Sequence, residues 1–134
     1  MVMASIRKEM RLDAAPETVW GAVRDVGSVH RRLAPSFVVD CRLEAGGAER
    51  VVTFANGLVA RELIVDIDDA ARRLVWAVVG GRPTHHNASL QVFAEESGDS
   101  RIVWIADLLP NDLAGPIDDM MEQAMRAMKP TLGG

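Results

Sequence analysis

Apolar and polar residues alternate along most of this chain, and helical spacing replaces the alternation at three places. Residues 3–12 read as a strand anchored by Ile6, Met10 and Leu12, although Arg7-Lys8-Glu9 blurs the period of two. Asp13-Ala-Ala-Pro16-Glu17 is a helix entry, since proline suits the first turn and acidic groups face the positive helix end. Val19, Trp20 and Val23 then share a helical face until Gly27 ends the segment. A second short helix is predicted over Val29–Leu33, stopped by Pro35.

Strands and turns follow. Phe37–Leu43, Arg50–Ala55, Leu58–Ile67, Arg73–Val79, His85–Ala94 and Arg101–Leu108 each read as strands. Asn56-Gly57 is a strong hairpin signal because both residues tolerate positive φ, and Asp68-Asp69-Ala70-Ala71 and Gly80-Gly81-Arg82-Pro83 are further turns. Connections this short specify antiparallel neighbours. The last element opens at Gly115-Pro116, with Asp118 and Asp119 in its first turn and Arg126 and Lys129 in its last. Ile117, Met120, Met121, Ala124, Met125 and Met128 form its apolar stripe, and Pro130 ends it. From 116 to 129 it would span ~21 Å.

The predicted fold is therefore α+β: one strand, two short helices, about six more antiparallel strands and a long C-terminal helix. A sheet of six to seven strands must curl, and one amphipathic helix is too narrow to cover its concave face. The uncovered part is where a cavity would form.

Composition narrows the partners. At 134 residues the chain has the length of one domain, 1–134, and its 49% hydrophobic and 25% charged content belongs to a globular protein. No run approaches the roughly 20 apolar residues of a membrane-spanning helix, and MVMASIRKEMR becomes charged too early for a secretory signal. A net charge of −4 argues against nucleic acid as a partner. The single cysteine, Cys41, has no internal disulfide partner, which suits a reducing cytoplasm.

The order of elements and several words of the sequence resemble the superfamily of START lipid-transfer domains, polyketide cyclases and the birch-pollen allergen. Ala15-Pro16-Glu17-Thr18-Val19-Trp20 is similar to the opening of bacterial polyketide cyclase/dehydrase-like members. Asn56-Gly57-Leu58-Val59-Ala60-Arg61-Glu62-Leu63, followed by Asp68-Asp69, is similar to their middle segment and, more distantly, to plant abscisic-acid receptors. Val59 replaces the receptors' gate proline and the latch histidine is missing, so hormone reception does not carry over. The resemblance implies a helix-grip fold, with the sheet wrapped around the C-terminal helix and a ligand held between them.

The resemblance also implies site residues. Glu62 matches a pocket-facing acid and His86 an inward tyrosine, and Met121 and Met125 match pocket-lining helix positions. Strand parity supports His86, on the side of Ala88, Leu90 and Val92, and it turns Trp76 and Val78 inward with Leu74. Parity opposes Glu62, because Val59, Leu63, Val65 and Ile67 form the more apolar side of that strand; a bulge would reconcile the two readings. Trp104 alternates with Ile102, Ala106 and Leu108 and so faces inward, whereas the receptor alignment turns it outward. Phe37, Phe54, Leu58, Trp76, Val78, Trp104, Met121 and Met125 are the expected walls, with Glu62 and His86 as polar anchors.

Other chemistry has little support. The adjacent His85 and His86 point to opposite faces of a strand, and no H-E-x-x-H or paired C-x-x-C spacing occurs, so no metal or other cofactor is expected. No G-x-S-x-G elbow accompanies a nucleophile. Two functions stand. The first is binding of a small hydrophobic molecule, lipid, aromatic or polyketide-like. The second is a cyclase, aromatase or dehydratase using Glu62 or His86 for proton transfer. A third reading is an interaction subunit with a filled cavity. An exposed strand edge would be the route to a homodimer.

Overall fold

The computed structural model describes residues 2–133; Met1 and Gly134, the ends of the expected 1–134 unit, lie outside the described residues. Seven strands form one antiparallel sheet: β1 (Ala4–Leu12), β2 (Val38–Glu44), β3 (Glu49–Phe54), β4 (Val59–Asp68), β5 (Arg73–Val79), β6 (His85–Ala94) and β7 (Ser100–Leu109). Their spatial order is β1-β7-β6-β5-β4-β3-β2, so the first strand pairs with the last. Helix α1 (Pro16–Arg24) and a short π-helical turn (Val29–Leu33) carry the chain from one edge of the sheet to the other. Helix α2 (Ala114–Leu132) closes the order. No helix among the described residues is long and apolar enough to cross a membrane.

The concave face follows from strand parity. β7 contributes Ile102, Trp104, Ala106 and Leu108, and β6 contributes His86, Ala88, Leu90 and Val92, all buried. Alternation thus places Trp104 correctly, against the receptor alignment. In β1 the charged run that blurred the period has a reason. Lys8 shares the inner parity of Ile6, Met10 and Leu12, and its Nζ reaches Asp118 at 2.8 Å and Glu122 at 2.7 Å on α2. The helix is thereby held on the β1 side of the sheet.

β4 contains the bulge that its sequence left open. Ile64 pairs with Trp76 and Asp66 with Val75, so Val65 is the extra residue. Before it, Glu62 and Ile64 face inward; after it, Ile67 does. Val65 itself is 57% exposed and Val59 is 62% exposed. The apolar parity of the linear sequence is an artefact of reading across an inserted residue. Val65→Asp should accordingly change stability by no more than about 0.5 kcal/mol. Ile64→Asp, one position earlier, should lower the urea midpoint sharply by driving a carboxylate into the core. Equal midpoints would contradict this register.

Three further expectations are corrected. The hairpin signal at Asn56-Gly57, whose residues both tolerate positive φ, predicts strands that end at Ala55 and resume at Leu58. Only Gly57 has positive φ, and Thr53 pairs with Val59, so the loop is one residue longer at its start. Phe54 and Leu58 close it, and the Asn56 side chain accepts a hydrogen bond from the Leu58 N–H at 3.0 Å. α1 stops at Arg24, short of Gly27, which lies against Leu43. α2 starts at Ala114 and runs through Pro130 to Leu132. Pro130 forfeits only a bond to the carbonyl of the exposed Arg126 in the last turn, while Leu132 gains burial. The Gly133 N–H then bonds the Lys129 carbonyl at 3.1 Å. With this earlier start, Asp118 and Asp119 fall beyond the first turn.

The Asp68-Asp69 turn is tied to α1. The Asp69 carboxylate accepts from Trp20 Nε1 at 2.9 Å and from Arg24 Nε at 2.8 Å, and these donors hold its carboxyl below the usual range. This turn anchors the first helix across the end of the sheet.

Candidate functional site

Because α2 is held toward β1, the other half of the concave face lacks a helical cover. There a cavity of about 480 Å³ opens between the sheet, the π-helical turn and one face of α2. That volume lies within the range of small-molecule sites. On the sheet side its walls are Val52 and Phe54 of β3, Leu74, Trp76 and Val78 of β5, and Leu90 and Trp104. The helix supplies Ile117, Met120, Met121, Ala124 and Met128, and the turn supplies Val29 and Leu33. Two aromatic pairs stiffen the wall. Phe37 and Phe54 have ring centroids 5.3 Å apart, and Trp76 and Trp104 are 6.1 Å apart. At the rim stand Leu58, Val59 and the Gly80–Pro83 loop, with Leu58 64% exposed.

The expected walls Phe37, Phe54, Leu58, Trp76, Val78, Trp104 and Met121 all border this space. Met125 does not: it is buried in the core but lines no part of the cavity. Met121, Ala124 and Met128 take the cavity face of α2, and Met125, one residue after Ala124, is rotated about 100° from it. Met120 and Gln123 border the cavity as well, at positions the sequence did not single out for it.

The polar floor holds the largest departure from the sequence reading. Glu62 is buried, and its partner is Arg50, directly opposite on β3 and only 4% exposed. Arg50 Nε donates to Glu62 Oε1 at 2.7 Å, and Nη1 donates to the Val26 carbonyl at 3.3 Å. The guanidinium carbon sits 5.4 Å from the centroid of Trp76. Nothing in the linear pattern marks Arg50 as this partner. Its pairing depends on the hairpin register. A two-residue loop would set Arg50 opposite Leu63, on the other face from Glu62; the observed loop sets it opposite Glu62.

His86 is buried on the same cavity and has no side-chain hydrogen bond among the described residues. Burial, with a smaller contribution from the charge of His85, holds its pKa below 6.5 and keeps the imidazole neutral near pH 7. The unfolded chain takes up this proton more readily. Stability is therefore complete above pH 6.5 and falls as the pH drops from there toward the depressed value of the folded state. Urea midpoints across that window should slope in the wild type and flatten in His86→Gln. An unchanged slope in the variant would assign it elsewhere. The indole N–H of Trp104 is buried without a partner among the described residues. Among the described residues no three His, Cys, Asp or Glu side chains gather as a metal cluster.

Cys41 is a buried free thiol whose Sγ lies 3.4 Å from the Val26 carbonyl. Burial pushes its pKa up, which disfavours the nucleophilic thiolate. The arrangement is thus an apolar chamber with a neutral imidazole and a self-neutralising ion pair. It can desolvate an organic molecule and orient one polar end of it.

Comparison with known proteins agrees with this architecture. The family model described as polyketide cyclase / dehydrase and lipid transport matches residues 3–133. A search of curated proteins returns no match. Among solved structures, the protein XoxI from Bacillus cereus superposes with a TM-score of 0.86 at 17% identity, covering 97% of this chain and 96% of that one. The ginseng major latex-like protein 151 from Panax ginseng gives 0.80 at 15% identity, covering all of both chains. A solution structure from Thermobifida fusca gives 0.78 at 23% identity, covering 94% of this chain and 88% of that one. At these identities the structures share a fold.

Proposed function

The chain belongs to the polyketide cyclase / dehydrase and lipid transport family, and from that premise we propose that it binds a small hydrophobic molecule in the cavity between sheet and α2. The ligand class is lipid, aromatic or polyketide-like. The observation that carries this reading is the 480 Å³ chamber, whose walls are apolar except for Arg50, Glu62 and His86 at depth and a few polar groups near the rim. Burying apolar ligand surface there would contribute about 25 cal/mol per Å² before the cost of immobilisation. Cys41, a free thiol, supports a reducing, cytoplasmic setting.

The test is a titration with phenylnaphthylamine, a neutral dye that brightens in apolar surroundings. We expect saturable one-to-one binding, displaced by fatty and polycyclic aromatic competitors. Native mass spectrometry of the purified protein should show a co-purifying organic molecule of matching stoichiometry. Absence of both the dye signal and any adduct would refute the reading.

One observation favours a catalytic version. His86 is neutral, unpaired and faces the same chamber as Glu62, which is the state a general base requires. In that version a bound carbonyl compound exchanges a proton with His86 or Glu62. Conversion of a poly-β-keto thioester mimic that disappears in His86→Ala, with dye affinity retained, would establish it. Equal conversion by both proteins would remove it.

A further inference from the structure

We propose that the ligand is an uncharged amphipathic molecule whose head group both donates and accepts hydrogen bonds, such as an alcohol or a primary amide, seated on the Arg50–Glu62 pair. This rests on the binding reading above and specifies the ligand that reading leaves open.

The argument begins with what the pair leaves unused. The contact is single: Arg50 Nε meets Glu62 Oε1, and Nη1 is spent on the Val26 carbonyl. Arg50 Nη2 and Glu62 Oε2 have no hydrogen-bond partner among the described residues. Neither belongs to the sealed polar atoms that lack partners, so both stay within reach of the cavity that their side chains line. One is a donor and the other an acceptor. A buried ion pair repays its desolvation only when its remaining donors and acceptors are met, and here a bound head group is what would meet them. A hydroxyl can accept from Nη2 while donating to Oε2. An aldehyde or ketone satisfies only the first, and a carboxylate must place its charge beside Glu62.

Net charge points the same way. Arg50 and Glu62 cancel, and the imidazole of His86, which borders the same cavity, is uncharged. The remaining charged side chain on the cavity is Arg82, exposed at the rim where water screens it. An ionised ligand would therefore enter an apolar chamber with no opposite charge left to receive it.

The experiment measures displacement of phenylnaphthylamine by decanol, decanamide, decanal and decanoate at neutral pH. Their chains match and their heads differ. In the wild type, decanol and decanamide should displace the dye at about tenfold lower concentration than decanal, the difference expected for one missing hydrogen bond to a charged group, and decanoate should be weakest. Glu62→Gln leaves Arg50 uncompensated, so decanoate should gain at least about tenfold relative to decanol. The double variant Arg50→Met/Glu62→Leu, which buries no lone charge, should bind decanol and decanal alike. It keeps the test available if Glu62→Gln does not fold. Decanoate equal to or better than decanol on the wild type would overturn the proposal, as would an unchanged ranking in the double variant. Dye binding with no ranking among the four competitors would defeat this inference and leave the binding reading standing. No dye binding at all would defeat both.

Discussion

Arg50→Met should lower the urea midpoint by an amount equivalent to about 3–5 kcal/mol, because it leaves the Glu62 carboxylate buried with no cation. Glu62 is only 8% exposed and its sole ion-pair partner among the described residues is Arg50 at 2.7 Å. Glu62→Leu should cost a similar amount by stranding the guanidinium under Trp76 and Val26. The double variant Arg50→Met/Glu62→Leu should recover most of the loss and could equal the wild type, since apolar replacements of buried pairs are often neutral or stabilising. The cycle isolates the coupling, because the two side chains touch. Single variants within about 1 kcal/mol of the wild type would mean that the pair is hydrated, and the cavity floor would then be far more polar than its burial indicates.

Ala124→Phe should abolish most ligand binding while leaving the fold intact. Ala124 is 2% exposed and lies on the face of α2 that borders the chamber. A phenyl group there extends from the packed helix face toward the chamber, and an overpacking cost of about 1–3 kcal/mol is smaller than the stability of a typical domain, so the protein should remain folded. Phenylnaphthylamine affinity should fall by about 2 kcal/mol or more, roughly thirtyfold. Ala22→Phe is the contrast: Ala22 is buried in α1, away from the cavity, and the same added volume should destabilise without a specific loss of binding. If Ala124→Phe binds the dye as the wild type does, the dye sits elsewhere and the chamber is not the site.

Much of this architecture was legible in the linear pattern, for a physical reason in each case. The inward rows of β6 and β7 follow from unbroken alternation, because successive side chains on a strand must leave on opposite faces. Trp104 was placed by that rule alone, His86 by the rule together with the family resemblance, and the long C-terminal helix by the recurrence of its methionines. Where a single inserted residue broke the period, the rule failed. Val65 made Glu62 look solvent-facing, and the extra residue in the Ala55–Gly57 loop hid Arg50 as its partner. Met125 failed differently. It belongs to the apolar stripe, but a stripe wide enough to meet the sheet does not say which of its residues meets the gap.

The sequence by itself determined the order of elements, the antiparallel connections, the inner face of the regular strands and the need for a cavity under a helix too narrow for its sheet. Those are consequences of local periodicity and turn chemistry, which act over a few residues. Tertiary structure decided where the cavity lies and what its floor offers. Lys8 reaching Asp118 and Glu122 holds α2 toward one edge of the sheet, and two one-residue insertions set the faces and partners of β3 and β4. The Arg50–Glu62 floor depends on register between strands, and register is settled by the sum of contacts across the whole sheet.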